Sequence, residues 1–247
     1  MKGRTRLIDF YDQEAVKAER YSSKDFWERR YHTKRLLKMN SIFKCFLPAS
    51  RSFLDIGCGT GEYLSLSSEY PCNRFGLDLS RTYLERCKDH NADGLVLGDI
   101  SHLPFKDEAI DCILCSEVLE HISDAKAPIK EIFRVAEKFV IISTPNHGIL
   151  RTLAALLSKH LLSIIDARVG HVNIMKAKDL RSRLENPEWI ITGAMTLQVS
   201  PPFLSELRFP RIILPLIELC ERCSDRLMRQ SGSISIICLR RRVPHAR

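Results

Sequence analysis

The sequence lacks the features of several large classes of protein. It has no run of about 18 consecutive apolar residues, so no transmembrane helix is predicted. The first residues, MKGRTRLIDFYDQEAV, contain no apolar stretch of the kind found in a secretory signal. It also has no internal repeat and no low-complexity linker. We therefore expect the 247 residues to form one large α/β domain or two small ones in the cytoplasm.

The sequence also lacks a regular cysteine framework. Its nine cysteines are odd in number and irregularly spaced, which favours free thiols over disulfides. Cys112 and Cys115 lie in a strand-like run, where residues three apart face opposite sides of a sheet. Cys220 and Cys223 would share one face of a helix, but no second pair stands nearby to complete four zinc ligands. A zinc site built from cysteines is therefore not expected.

Positive charge is concentrated at the two ends of the chain. The 38 lysines and arginines exceed the 30 aspartates and glutamates by 8. Residues 1–50 hold 12 basic and 6 acidic residues, and the tail from Arg240 adds four arginines. The part between them is nearly neutral. Basic ends of this kind keep a protein in solution or attract an anionic partner.

Short apolar runs alternate with helix-like runs along most of the chain. The strand-like runs cover residues 52–56, 74–78, 94–98, 110–115 and 139–144. This alternation predicts a mostly parallel sheet with helices on both faces. Two late runs, 188–200 and 233–241, indicate one or two antiparallel strands at an edge. The predicted fold class is therefore α/β, a doubly wound sheet of about seven strands.

The segments outside this alternation are predicted to be helical. Residues 1–48 would form an N-terminal helical cap on a main domain of residues 49–247, with helical insertions at 148–170 and 203–230. Apolar residues recur at three- and four-residue spacing in the first insertion, which gives a helix an apolar face. Such a face could cover the ligand-binding end of the sheet, touch a membrane surface or form a dimer contact.

The stretch FLDIGCGTGEYL places three glycines directly after a strand. Gly57, Gly59 and Gly61 permit positive φ angles and let a ligand lie against bare backbone. In an open parallel sheet, ligands bind at the carboxyl ends of strands where the strand order reverses. The helix that follows offers unpaired N–H groups to the same ligand. The stretch therefore predicts a site for a flat, extended cofactor.

The residues around this turn favour a cationic cofactor. The dinucleotide pattern GxGxxG is absent because Glu62 stands where its third glycine would be, and no Lys-Ser/Thr pair follows for a phosphate-binding loop. Asp55, Asp78 and Asp99 each follow a separate apolar strand. So acidic a cleft would repel a pyrophosphate but would attract a sulfonium nucleoside.

Several stretches together resemble the class I S-adenosylmethionine-dependent methyltransferases, which have a Rossmann-like fold. They are FLDIGCGTGEYL, FGLDLS, LVLGDISHLPFKDEAIDCILCSEVLEHISD and VIISTPN, and GHVNIMKAKDLRSRL extends the match. The chain is most similar to the subfamily that contains enzymes of ubiquinone and menaquinone synthesis. The resemblance implies that S-adenosylmethionine is the cofactor.

The resemblance also implies a set of cofactor-binding residues. Asp78 would hold the ribose with Leu79 beside the adenine, and Asp99 would bind the adenine amino group with Ile100 beside it. Ser116 and Glu117 would close the site. The methionine portion would be lined by Asp55, Gly57, Cys58, Gly59, Thr60 and Gly61.

His121 is the candidate catalytic residue. It follows the fourth predicted strand, and an imidazole titrates near neutral pH. Methyl transfer from a sulfonium is an in-line displacement in which alignment of the two reactants supplies much of the acceleration. A base is therefore needed only if the acceptor is a hydroxyl such as a phenol. Otherwise His121 would serve packing alone.

The letters EVLEH allow a second interpretation, a metal site. In a helix Glu117, Glu120 and His121 would share one face, and His171 could complete a carboxylate–imidazole set. This arrangement resembles metal-dependent small-RNA 2′-O-methyltransferases and some quinone-pathway O-methyltransferases. Glu117 cannot readily serve both the cofactor and a metal, so no metal is predicted.

The sequence thus predicts a methyltransferase that acts on a small molecule with an apolar part. We expect a monomer or homodimer, without nucleic acid as a partner. A metal-assisted RNA 2′-O-methyltransferase and a non-catalytic S-adenosylmethionine-binding protein are the alternatives. A nicotinamide oxidoreductase is disfavoured, because a catalytic Tyr-x-x-x-Lys is absent.

Overall fold

A computed structural model describes most of the predicted sheet and its helices. The described residues are 12, 26–90, 92–146, 170–197, 212, 215, 218–219 and 232–243. The predicted insertions 148–170 and 203–230 lie almost wholly outside them and stay predictions, as does most of the cap before residue 26. Among the described helices, none is long and apolar enough to cross a membrane.

Seven strands form one mixed sheet in the described part of the chain. They are β1 (Ser52–Ile56), β2 (Asn73–Asp78), β3 (Gly94–Leu97), β4 (Ile110–Ser116), β5 (Ala136–Pro145), β6 (Trp189–Leu197) and β7 (Ile234–Arg241). Their order is β3-β2-β1-β4-β5-β7-β6. The first five are parallel to one another, and β7 is antiparallel to both β5 and β6. The predicted fold class is confirmed, with the antiparallel pair β7–β6 at one edge.

Five α-helices accompany these strands among the described residues. They are α1 (Phe26–Phe46), α2 (Glu62–Leu66), α3 (Arg81–Cys87), α4 (Lys126–Val135) and α5 (Ala177–Arg183). A 3₁₀ turn, Leu47–Ala49, closes the end of α1 and contains Pro48. Another 3₁₀ turn, Leu119–His121, follows β4.

The centre of the sheet is apolar because it is covered on both faces. Every residue of β4 is buried, as expected for an inner parallel strand. Cys112 and Cys115 belong to the two different core clusters, so they face opposite sides as predicted. All seven cysteines of the described residues are free thiols.

Helices cover the two faces in separate groups. One core cluster packs α4 and α5 against the sheet through residues such as Ile132 and Leu180. The other cluster packs α1, α2 and α3 on the opposite face, with Phe43 and Leu64 fully buried. Helix α1 runs along the sheet, and Phe46 near its end meets Phe139 of β5 with ring centroids 5.2 Å apart.

The strand order reverses between β1 and β4, and this reversal determines where a ligand can bind. From β1 the chain continues to β2 and β3 on one side, then returns to β4 and β5 on the other. Connections leaving in opposite directions open a crevice at the carboxyl ends of β1 and β4. The glycine turn follows β1 at this crevice.

Candidate functional site

The glycine turn is left-handed at three positions, but the glycines are required for different reasons. The φ angles are +70° at Gly57, +53° at Gly59 and +90° at Gly61, a region that side chains disfavour. A Cβ at Gly57 would lie 2.4 Å from Val118, and one at Gly61 would lie 2.6 Å from the Cys87 sulfur. A Cβ at Gly59 would meet no atom within 4 Å. Of the three glycines, only Gly59 therefore presents bare backbone to open space.

Hydrogen bonds fasten the turn to the end of β2. The backbone N–H groups of Gly57 and Cys58 both donate to the carbonyl of Leu77, at 2.7 and 3.1 Å. The N–H of Gly59 donates to Oδ2 of Asp78 at 2.9 Å. Thr60, at the next position, donates its hydroxyl proton to the Glu62 carboxylate. The turn that follows β1 is thus held in place by hydrogen bonds to β2.

Asp78 is oriented by backbone N–H groups on both of its oxygens. Oδ1 accepts from the N–H of Ser80 at 2.8 Å, and Oδ2 accepts from Gly59. Burial raises the pKa of Asp78, while these N–H groups act in the opposite direction by favouring the ionised form. Leu79, the next residue, is only partly buried. A carboxylate held in this way has lone pairs left for two neighbouring hydroxyl groups.

Asp55 is a buried carboxylate without a hydrogen-bond partner among the described residues. Its exposed fraction is 1 %, and neither oxygen accepts a hydrogen bond from a described group. Burial raises the pKa of Asp55 well above its usual value, and the nearby Cys87, Glu62 and Asp78 raise it further. Buried polar groups are nearly always hydrogen-bonded in proteins. Asp55 is therefore a group that a bound cation or N–H donor would satisfy.

Asp99 follows β3 on the far side of Asp78. The Asp99 side chain is half-exposed, and its Oδ1 accepts from the N–H of Ser101 at 2.9 Å. Ile100 beside it is buried. The loop after β3 is tied to the end of β2, because the N–H of Gly98 donates to the carbonyl of Asp78 at 3.0 Å. The predicted adenine-binding residues therefore lie at the carboxyl end of β3, next to the predicted ribose residue.

Ser116 ends β4 at the centre of a hydrogen-bond network that sequence reasoning missed. Its hydroxyl lies 2.8 Å from that of Ser143 on β5 and 3.4 Å from that of Tyr63 on α2. Arg35 of α1 also donates to it, at 3.5 Å. Nothing in the sequence indicated that this part of α1 would contact β4, because the contact depends on tertiary packing. Arg35 and Tyr63 are thus site residues that only the fold reveals.

Glu117 is held in a strained conformation by the same network. Its φ angle is +58°, unusual for a residue with a side chain. Its N–H donates to the carbonyl of Ser143 at 2.9 Å, and the Ser143 hydroxyl lies 3.4 Å from its carboxylate. Tyr31 of α1 lies beside Arg35, whose guanidinium is 5.5 Å from the centre of the Tyr31 ring. Burial raises the pKa of Glu117, whereas the charge of Arg35 and the Ser143 hydroxyl act in the opposite direction.

Glu120, His121 and His171 meet in one cluster beyond Glu117. One nitrogen or oxygen atom from each lies within 4.8 Å of the other two. Glu120 is fully buried, and no described group donates a hydrogen bond to either of its oxygens. The Nε2 atoms of His121 and His171 lie 3.9 and 4.0 Å from its Oε1. Burial and the nearby Glu117 raise the pKa of Glu120.

Only part of the four-residue set considered from the sequence comes together. The helical arrangement of EVLEH does not form, because the left-handed Glu117 is followed by a 3₁₀ turn. Glu117 is consequently outside the cluster among the described residues. His171 joins it because the N–H groups of Val172 and Asn173 donate to the carbonyl of Glu120, at 2.8 and 2.9 Å.

A backbone carbonyl fixes the orientation of the His121 ring. Its Nδ1 lies 3.0 Å from the carbonyl oxygen of Gly170. A carbonyl oxygen can only accept, so Nδ1 carries the proton and Nε2 holds the lone pair of the neutral ring. That lone pair faces the Glu120 carboxylate. The geometry therefore fixes Nε2 as the basic nitrogen of the neutral His121 ring.

The structure thus gathers the residues predicted to bind the cofactor at the carboxyl ends of four neighbouring strands. They are Asp55, Gly57, Cys58, Gly59, Thr60, Gly61, Asp78, Leu79, Asp99, Ile100, Ser116 and Glu117. Their roles in binding stay predictions, as does the catalytic role of His121. Asp55 and the open face of Gly59 give the site room and charge for a cationic ligand.

Comparison with known proteins finds a family model and several relatives that match this region. Residues 54–141 match the family model Methyltransf_11, described as a methyltransferase domain. A tRNA (carboxymethyluridine(34)-5-O)-methyltransferase of Arabidopsis thaliana is 35% identical over 102 residues, which are 39% of this chain and 24% of that protein. A demethylmenaquinone methyltransferase of Roseiflexus is 32% identical over 115 residues, 42% of this chain and 48% of that one. The chain spans less than half the length of either relative.

A solved structure of the same fold was found with a ligand. Magnesium protoporphyrin IX methyltransferase from Synechocystis PCC 6803, with bound S-adenosylhomocysteine, superposes with a TM-score of 0.64. The match covers 97% of this chain and 99% of that one at 16% sequence identity. At that identity the likeness shows the fold alone.

Two glycine substitutions should separate packing from ligand contact. Gly61→Ala should lower the free energy of unfolding by about 1–3 kcal/mol, because its Cβ would overlap Cys87 at a left-handed position. Gly59→Ala should cost about 1 kcal/mol for its φ angle, yet weaken S-adenosylhomocysteine binding strongly by filling the open face. Urea denaturation and titration calorimetry measure the two effects. Unaltered binding by the Gly59 variant would contradict this view of the turn.

Asp55→Asn should stabilise the ligand-free protein at neutral pH while weakening S-adenosylhomocysteine binding. Because the pKa of Asp55 is above 3.8 in the folded state, the folded protein holds a proton that the unfolded chain has released. The free energy of unfolding therefore falls as pH rises above about 4. Asparagine does not ionise, so urea midpoints of the variant should fall less between about pH 4 and 7. Parallel pH profiles for variant and wild type would disprove the effect.

Proposed function

We propose that this protein methylates a small molecule with an apolar part, because residues 54–141 match the family model Methyltransf_11, described as a methyltransferase domain. S-adenosylmethionine is the cofactor of this family. The single observation that carries the proposal is the combination of an open Gly59 backbone with a buried Asp55 to which no described residue donates a hydrogen bond. A cationic ligand that lies flat against the turn would satisfy both.

The residues of the crevice fit the parts of this cofactor. Asp55, buried without a described donor, suits its amino or sulfonium charge. Asp78, oriented by Gly59 and Ser80, suits a pair of ribose hydroxyls, and Asp99 suits an amino group on the adenine. Arg35, at the Ser116 hydroxyl, suits the carboxylate of the methionine part. The bound cofactor supplies a methyl group on a sulfonium whose leaving group is a neutral thioether.

His121 would remove the proton from an acceptor hydroxyl or amine. Its Nδ1 proton is directed at the Gly170 carbonyl, which leaves Nε2 to take up a proton. Glu120 would then stabilise the resulting imidazolium from 3.9 Å. His121 follows β4, at the end of which Ser116 and Glu117 are predicted to bind the cofactor. An acceptor with a protic atom is therefore a better partner for this site than one methylated on carbon or sulfur.

The small-molecule acceptor is proposed on two grounds. One relative is named a demethylmenaquinone methyltransferase. The two apolar segments, 148–170 and 203–219, could cover an acceptor of that character, and both lie almost wholly outside the described residues. We also propose a cytoplasmic location, in keeping with the free thiols of the described residues, and a monomer or homodimer in which, as in the described helices, no segment spans a membrane. Contact of the apolar segments with a membrane surface is compatible with this proposal.

Asp78→Ala should weaken S-adenosylhomocysteine binding by at least tenfold, since it removes a charge-assisted contact worth about 1.5–3 kcal/mol. Titration calorimetry measures this, with NAD as a control ligand that should not bind. Labelled methyl groups should then be transferred into a small-molecule extract and not into RNA. Wild-type protein that fails to bind S-adenosylhomocysteine would refute the proposed function, and transfer into RNA alone would refute the acceptor class.

A second candidate function is a metal-assisted RNA 2′-O-methyltransferase. The observation that favours it is the cluster of Glu120, His121 and His171, in which a fully buried carboxylate faces two imidazole Nε2 atoms. Carboxylate and imidazole ligands suit zinc, manganese or iron. Such an ion would lower the pKa of an acceptor hydroxyl bound to it. One of the relatives, moreover, is a tRNA methyltransferase.

This candidate function predicts a metal site that His171→Ala weakens. Titration of the wild-type protein with Mn²⁺ or Zn²⁺ should show one site, and the variant should bind at least tenfold more weakly. RNA methylation should stop in chelator and return on adding the ion. Absence of binding to either ion, or methylation that is indifferent to chelator, would exclude this candidate.

A further inference from the structure

The connection between β3 and β4 contains no helix. Residues 98–109, all of them described, lead from one strand to the other through turns and bends. Parallel strands are usually joined through an α-helix, whose backbone groups bond to one another. This connection has to find partners for its backbone groups elsewhere. It also carries Asp99 and Ile100, the residues predicted to bind the adenine.

Two side chains of α4 bind the backbone of this connection. Arg134 donates from Nη2 to the carbonyl of Leu103 at 3.0 Å and from Nη1 to that of Phe105 at 2.8 Å. Nη1 also donates to the carboxylate of Asp107 at 2.7 Å. Oε2 of Glu131 accepts from the N–H of Leu103 at 2.8 Å. One arginine and one glutamate thus satisfy three backbone groups of the connection.

Arg134 is itself oriented by Glu131. Its Nε and Nη2 donate to Oε1 and Oε2 of that carboxylate, both at 2.8 Å. Two parallel hydrogen bonds of this kind suit the planar guanidinium, and a lysine cannot reproduce them. The two side chains are 28% and 19% exposed, so water competes only in part. The pair therefore offers the connection a partner of fixed direction on α4.

Asp99 lies between this partner and the end of β2. The N–H of Ser101 donates to Oδ1 of Asp99 and that of His102 to its carbonyl, both at 2.9 Å. These bonds close a tight turn, and Leu103 is the next residue. Gly98, on the other side of Asp99, is bonded to the end of β2. The place of the Asp99 carboxylate consequently depends on an anchor at each end of its turn.

We propose that Arg134 is a positioning residue for the adenine end of the cofactor, and that it acts through the connection between β3 and β4. This inference deepens the proposed function and rests on it, because it assumes that Asp99 receives the adenine amino group. An ionised carboxylate only accepts hydrogen bonds, so it binds an amino group and repels a carbonyl oxygen. Because hydrogen bonds weaken steeply when misaligned, a displaced Asp99 loses this discrimination. Selection of the base thus depends on a side chain of α4.

The test compares two probes by titration calorimetry. They are S-adenosylhomocysteine and S-inosylhomocysteine, in which a carbonyl oxygen replaces the adenine amino group. Wild-type protein should prefer the first by about tenfold or more, since the second lacks the hydrogen bond to the carboxylate. Arg134→Gln should bind the first about tenfold more weakly and the second less than about twofold. A general loss of structure would weaken both probes alike, so the change in preference reports positioning.

Two further variants separate positioning from charge. Glu131→Gln keeps one oxygen as an acceptor but breaks the paired hydrogen bonds, so it should reduce the preference in the same direction by a smaller factor. Arg183→Gln, at an exposed arginine in the last turn of α5, loses the same charge elsewhere and should leave both affinities unchanged. Urea denaturation establishes that each variant is folded under the conditions of the titration.

The outcomes separate this inference from the proposed function. An equal loss for both probes in Arg134→Gln would show a merely structural role and overturn the inference, and so would no loss at all. If Arg134→Gln unfolds, an unchanged preference in Glu131→Gln overturns it equally. Wild-type protein that binds the two probes alike would also overturn it, because Asp99 would then not select the amino group. In each of these cases binding of S-adenosylhomocysteine by the wild type would leave the proposed function intact, whereas wild-type protein that binds neither probe would refute both.

Discussion

The hydrogen bond from the Gly59 N–H to the Asp78 carboxylate joins the two halves of the candidate site. It spans 2.9 Å and ties the turn after β1 to the end of β2. Gly57, Gly59 and Gly61 of this turn all adopt positive φ angles, and the N–H of Gly57 likewise donates to β2, at the carbonyl of Leu77. The same bond orients the carboxylate that is proposed to receive the ribose. The shape of the turn and the orientation of the Asp78 carboxylate therefore depend on the same hydrogen bond, which forms without a ligand.

The electrostatic cost of this arrangement is considerable. Asp55, Asp78, Glu117 and Glu120 all have pKa values raised by burial, and the structure gives Asp55 and Glu120 no hydrogen-bond donor among the described residues. Such groups destabilise a ligand-free protein and are retained where a ligand needs them. A donor with a positive charge relieves part of that cost. Charge, rather than apolar burial, is accordingly the basis on which we expect the site to select its cofactor.

Much of the fold could be predicted from the sequence because its strands are short, apolar and separated by clear turn signals. The predicted and observed bounds of β1 coincide, and β4 differs by a single residue at its end. The glycines and the three aspartates at strand ends were also identified, since each stands at a fixed offset from its strand. The sequence predicted bare backbone for a ligand at all three glycines, but the structure shows it only at Gly59. Gly57 and Gly61 are required by Val118 and Cys87, which are distant in sequence.

The parts of the site that sequence reasoning missed depend on tertiary contacts. Tyr31 and Arg35 stand four residues apart, which places them on one face of a helix, but the sequence does not say what that face meets. The helix on which the metal-site interpretation of EVLEH depended does not form, because Glu117 has a left-handed conformation and hydrogen-bonds Ser143. His171 was considered as a partner of His121 from the sequence, but the backbone hydrogen bonds to Glu120 that bring the two together were not predicted.

A crystal structure of the protein with S-adenosylhomocysteine tests the central claim most directly. The account predicts the ligand across the Gly59 backbone, with both ribose hydroxyls at about 3 Å from the Asp78 oxygens and the Gly59–Asp78 hydrogen bond unbroken. A ligand bound away from the ends of β1 and β2, or a turn that has to rearrange before the ligand fits, would contradict it.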